Sequence, residues 1–114
     1  MEIKPIKDVV GVIAKAYKIL PSDLHCDFLK AISELEDNNN HKHGNFPHTC
    51  LHKVEGFKKC GVYRAYIHKI KGWRIHLQYG NDNFLILNDI LAGKEHDKTT
   101  DVIKTRKNNY NKKK

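Results

Sequence analysis

A chain of 114 residues makes one domain around one modest core and is too short for two. With 39% hydrophobic and 30% charged residues, it holds no run near the ~20 apolar residues of a membrane span. Its start, Met1-Glu2-Ile3-Lys4-Pro5, lacks the basic flank and apolar stretch of a secretory signal, so neither membrane nor export is expected. The net charge of +8 is segregated: residues 1–37 carry five Lys/Arg against seven Asp/Glu, a balance of −2, and residues 38–114 carry sixteen against six, a balance of +10. Such a division favours a polyanionic partner, either nucleic acid or an acidic protein segment. Three cysteines at irregular spacing make no disulfide framework and point to a reducing cytoplasm.

Residues 2–6 are expected to form a short edge strand, the one place in a sheet that accepts Pro5. Asp8 then caps a helix whose apolar positions Val9, Ile13, Tyr17 and Leu20 follow a spacing of three to four, and Pro21 stops it. Ser22 or Asp23 caps a second helix with Leu24, Phe28, Ile32 and Leu35 along one face. Together they form an αα-hairpin with an acidic outer side. The run from Asn38 to Asn45 has no apolar period and reads as polar loop, about residues 38–50. A basic tail, about 104–114, closes the single domain of residues 1–114.

Between Gly61 and Leu91 the period changes to two. Tyr63, Ala65 and Ile67 alternate with Arg64, Tyr66 and His68; Trp73, Ile75, Leu77 and Tyr79 alternate with Arg74, His76 and Gln78. Each run is a strand with an apolar and a polar face. The run Phe84-Leu85-Ile86-Leu87 is a third strand, covered on both sides. Antiparallel partners share a face, so a three-residue loop Ile70-Lys71-Gly72 is predicted, with Ile67 opposite Ile75 and Ala65 opposite Leu77. Gly72 supplies the left-handed residue that ends the loop. This register sets Arg64 opposite Gln78, Tyr66 opposite His76, and His68 opposite Arg74.

The helices are expected to cover only the apolar face, leaving the polar one open. Two arginines, two histidines and a tyrosine there suit RNA: guanidinium groups fork onto phosphate and a tyrosine ring offers a stacking plane. The same alternation is equally that of a wet sheet face with no ligand. After the third strand, His96 is a residue able to exchange a proton with a ribose 2′-hydroxyl or a leaving oxygen. A rival reading takes His41, His43, His48, Cys50 and His52, with Cys60 nearby, as zinc ligands, although no CxxC, HExxH or zinc-finger spacing is present. Cys26 lies within the second helix with no defined histidine partner, and no phosphate-cradling glycine motif occurs.

The segment Leu51-His52-Lys53-Val54-Glu55-Gly56-Phe57-Lys58, then Gly61-Val62-Tyr63-Arg64-Ala65-Tyr66-Ile67, Gly72-Trp73-Arg74-Ile75 and Gly93-Lys94-Glu95-His96-Asp97-Lys98, resembles the RelE/ParE toxin superfamily. The resemblance covers about residues 51–98. It implies an α+β fold, with the N-terminal helical hairpin packed on a small antiparallel sheet. It also implies the toxin of a toxin–antitoxin pair, an endoribonuclease that cleaves mRNA at the ribosome and is neutralised by an acidic antitoxin. In such enzymes the 2′-hydroxyl attacks the adjacent phosphate, without metal or other cofactor. Carried over residue by residue, it makes Arg64, Arg74 and His96 catalytic. Lys58, Lys59 and Lys98 hold RNA backbone, joined by Tyr66, His68 and His76 of the polar face. The sequence departs from the pattern in its longer 38–50 segment. It departs again after His96, where Asp97-Lys98-Thr99-Thr100 intervenes and the next tyrosine is Tyr110. The gyrase-inhibiting branch keeps the fold without nuclease residues, so a non-catalytic RNA-binding or gyrase-inhibitor-like module is the alternative.

Overall fold

The computed structural model describes residues 3–54, 61–80 and 83–92. In chain order these form β1 (Ile6–Lys7), α1 (Val12–Ile19), a 3-10 turn (Ser22–Leu24), α2 (His25–Glu36), α3 (Asn38–His43), β2 (His52–Lys53), β3 (Val62–His68), β4 (Trp73–Tyr79) and β5 (Leu85–Leu91). The strands make one five-stranded sheet in the order β1-β5-β4-β3-β2. The α+β expectation holds, with one correction: β1 runs parallel to β5, and only the other pairs are antiparallel.

Pro5 explains where β1 falls. It has no N–H to give, so the paired residues are Ile6 and Lys7 rather than residues 2–6, and Pro5 contributes only its carbonyl, which accepts from Leu85 N–H at 2.8 Å. Just before it, Lys4 N–H donates to the Glu36 carbonyl at 2.7 Å, tying the N-terminal segment to the end of α2.

The N-cap of α1 is Gly11 rather than Asp8, yet Asp8 still serves the helix start from three residues before it: its two carboxylate oxygens accept from Val12 N–H at 2.6 Å and Ile13 N–H at 2.9 Å. The buried stripe, however, is Val12, Ala16 and Leu20. Val9 lies in the turn before the helix and is 78% exposed. Gly11, at φ 75°, makes the left-handed entry that delays the helix to Val12 and rotates its inner face away from Val9 and Tyr17. The second helix buries Phe28, Ala31 and Leu35 and is led in by the 3-10 turn, with no side-chain cap from Ser22 or Asp23.

The predicted polar loop begins as a helix. Asp37 accepts from Asn39 N–H at 3.0 Å and starts α3, and Gly44, at φ 63°, ends it in the left-handed conformation. Its residues are too polar to show an apolar period, and caps at both ends supply the signal instead.

Between β3 and β4 the register is moved by two residues from the predicted one. Ala65 faces Ile75, Tyr63 faces Leu77, Arg64 faces His76 and Tyr66 faces Arg74, while Val62 rather than Arg64 faces Gln78. The connection has four residues, Lys69 to Gly72, and Ile67 is the extra residue of a bulge. Gly72 has the left-handed φ of 76° that the loop requires. Because the shift is even, the faces survive. Ala65, Ile67, Ile75, Leu77, Leu85, Leu87 and Ile90 meet Val12, Ala16, Leu20, Leu24, Phe28 and Leu35 in one core.

Candidate nucleic-acid interface

Strand alternation sends Arg64 and Tyr66 of β3, and Arg74, His76 and Gln78 of β4, to the face opposite that core. On β2, His52 pairs with Arg64; on β5, Asp89 pairs with His76. One row of cross-strand partners therefore runs His52–Arg64–His76–Asp89 over four strands. A second row runs Tyr66–Arg74–Leu91. The sequence could not show either row, since a two-residue strand at His52 has no period and the shifted register makes the rows.

Burial divides this face. Arg74 and His76 are 0% exposed and Gln78 is 4% exposed. They lie on β4, the middle strand, where the expected open surface is closed. That corrects the expectation that Arg74 and His76 stand on an open polar face. Arg64, Tyr66 and His68 are half-buried and His52 is exposed, so the open portion lies along β2 and β3. His68 is already engaged: its Nδ1 accepts from Lys71 N–H at 3.1 Å and closes the β3–β4 turn.

Asp89 sits at a bulge in β5, next to Asn88, whose side-chain amide donates to the Gln78 side-chain oxygen Oε1 at 2.9 Å. The Asp89 carboxylate is 2% exposed, accepts from Lys15 Nζ at 3.0 Å and from Ile90 N–H at 2.9 Å, and so ties α1 to the polar row. An acid inside an otherwise apolar strand was visible in the sequence as an interruption after Leu87. Its pairing with Lys15 was not.

The approach to β2 is built with particular firmness. Glu34 of α2 receives His48 N–H at 2.9 Å on one carboxylate oxygen and Thr49 N–H at 2.7 Å on the other. His48 Nε2–H donates to the Ile67 carbonyl at 3.0 Å, and Tyr66 N–H donates to the Thr49 carbonyl at 2.8 Å. Cys50 then takes a left-handed φ of 48°, and its carbonyl accepts from His52 Nδ1–H at 2.8 Å. The His52 ring lies 6.1 Å from the Tyr66 ring at an interplanar angle of 36°. Lys69, the first residue after β3, is held above the ordinary lysine range, first by a hydrogen bond to the Cys50 side chain and then by the charges around it. It adds a persistent cation beside this corner.

The histidines read as rival zinc ligands are dispersed by the fold. His41 bonds the Leu35 carbonyl and Tyr79, His43 the Asn39 carbonyl, His48 the Ile67 carbonyl and His52 the Cys50 carbonyl. Among the described residues, no group of three or more His, Cys, Asp or Glu converges to hold a metal ion. Cys26 lies exposed on α2 and Cys50 is half-buried, both as thiols. His96, Lys58, Lys59 and Lys98, together with Cys60 and Tyr110, lie outside the described residues. No helix among the described residues is long and apolar enough to cross a membrane. Comparisons with protein-family models, curated proteins and solved structures returned no match.

Proposed function

We propose that this chain is an RNA-directed toxin of the RelE/ParE type, an endoribonuclease that acts on mRNA at the ribosome and is held in check by an acidic antitoxin. The observation that carries the reading is the juxtaposition of His52 and Arg64 on the open half of the outer sheet face, with the Tyr66 ring beside them. A guanidinium can take two phosphate oxygens, a ring can support an unpaired base, and an imidazole can carry a proton. These are the parts that a 2′-hydroxyl attack on the neighbouring phosphate requires. In this reading Arg74 and His76 form the buried floor of the site, and His96 keeps the proton-transfer role that the resemblance assigns. The net charge of +8 favours both RNA and an acidic inhibitor.

The test is expression in bacteria, with growth and transcript integrity followed for wild type, Arg64→Ala and His96→Ala. Growth arrest with cut mRNA, relieved by Arg64→Ala, supports the reading. Harmless expression with intact transcripts defeats it. The full burial of Arg74 favours a second reading, a non-catalytic RNA-binding module using the same corner. That module would retain RNA binding, lose affinity with Arg64→Ala, and leave every transcript uncut.

A further inference from the structure

Within the RNA-cleaving reading, on which this rests, we infer that His52 is the proton acceptor of the reaction, working through Nε2. Its tautomer is fixed by the backbone. A carbonyl oxygen can only accept, so the 2.8 Å bond from His52 Nδ1 to the Cys50 carbonyl places the ring proton on Nδ1. The neutral ring then carries its lone pair on Nε2. The residue is exposed, so that lone pair is accessible to a substrate hydroxyl.

The carbonyl is not casually placed. Cys50 holds the left-handed φ of 48°, uncommon for a residue with a side chain, directly after two N–H groups clamped by Glu34. Thr49 is in turn bonded to Tyr66 of β3. The Cys50 carbonyl is thereby fixed relative to β3, and with it the ring of His52. Arg64 lies directly across the strand pair from His52, a spacing at which Cβ atoms are roughly 4.5–5.5 Å apart. Side chains so placed reach one ribose-phosphate unit together. Arg64 takes a non-bridging phosphate oxygen while His52 reaches the 2′-hydroxyl on the ribose carbon beside the one that carries the phosphate.

The step balances without a redox partner. His52 Nε2 removes the 2′-hydroxyl proton, the 2′ oxygen forms a bond to phosphorus, and the bond from phosphorus to the 5′ oxygen breaks. The products are a 2′,3′-cyclic phosphate and a 5′ alcohol, whose oxygen takes its proton from the acid, the part of proton transfer left to His96 in the RNA-cleaving reading. His52 then returns its proton to water.

His52→Gln, His52→Ala and wild type would be compared on a reporter mRNA, free and on purified ribosomes. Affinity would be read with the same RNA carrying 2′-deoxy sugars, which binds but cannot react. A lost general base lowers the cleavage rate roughly 100- to 10,000-fold with unchanged affinity for the deoxy probe. Free imidazole restores activity to His52→Ala. The position lies on an exposed two-residue edge strand, and unchanged melting would certify the fold. Cleavage by His52→Gln at the wild-type rate overturns the assignment and leaves the RNA reading standing. A wild-type chain that binds neither form of the RNA overturns that reading, and this inference with it.

Discussion

His41 is held at both ring nitrogens: Nε2–H donates to the Leu35 carbonyl at 2.8 Å, and Nδ1 accepts from the Tyr79 hydroxyl at 2.7 Å. Burial pushes the Tyr79 hydroxyl up to about 12, with the neighbouring Tyr63 adding to it, so Tyr79 remains a neutral donor throughout the physiological range. Burial, and to a smaller extent the charge of Lys4, lowers His41 below its ordinary 6.5, against the Leu35 bond, which favours the charged ring. A histidine depressed in the folded state binds its proton more tightly when unfolded. Its contribution is therefore full above about pH 6.5 and is lost as the pH falls through that value toward the folded one. Melting should weaken between pH 7 and pH 5, and His41→Gln should flatten that slope, measured by thermal unfolding across the range. Arg74 offers a second contrast at this scale. Truncating a fully buried side chain this large should cost roughly 2–5 kcal/mol, whereas the half-buried Arg64→Ala should stay within about 1 kcal/mol. Denaturant unfolding of the two variants checks this. A loss of activity in Arg74→Ala would then report a weakened fold before it reported chemistry.

At the scale of elements, the approach from α3 to β2 is held by one carboxylate. Glu34 takes two backbone N–H groups, and hydrogen bonds to a charged acceptor are worth about 1.5–3 kcal/mol each. Glu34→Ala should accelerate amide exchange at His48 and Thr49, and at Tyr66, whose N–H bonds the Thr49 carbonyl. Exchange in α1 should be unaffected, and hydrogen-exchange measurements distinguish the two regions. The short α3 makes a separate case. Its six residues include three asparagines and two histidines, which leave little intrinsic preference for a helix. The Asp37 cap and the Gly44 terminus define it. Asp37→Ala should cost about 1 kcal/mol of stability, read by denaturant unfolding.

For the molecule as a whole, charge and topology act together. The sheet uses one face for its core and divides the other, closing it over β4 and opening it at β2 and β3, where His52, Arg64 and Lys69 stand. An RNA held there should lose affinity linearly in the logarithm of salt concentration, with about 0.7 of slope for each single-strand phosphate contact. Arg64→Ala should lower that slope by about one such contact. Binding measured across a salt series checks it, and an unchanged slope would remove Arg64 from the interface.

The sequence by itself determined the class of fold, the two alternating strands and the apolar third, and which side chains share a face, because a period of two is a local property of the chain. It also determined that Asp8 serves the start of α1 and that Gly72 makes a left-handed turn, since the chemistry of each is complete within a few residues. Only the tertiary structure decided the register, since an even shift leaves every apolar residue inward and no local pattern can choose between two such pairings. The rotation of α1 was equally beyond the pattern: the left-handed Gly11 delays the helix, and packing on β5 selects Val12, Ala16 and Leu20. Burial of Arg74 and His76 and the placing of His52 opposite Arg64 belong to the same category. Exposure, and the meeting of residues far apart in the chain, are settled by how strands lie side by side, and only the assembled sheet contains that information.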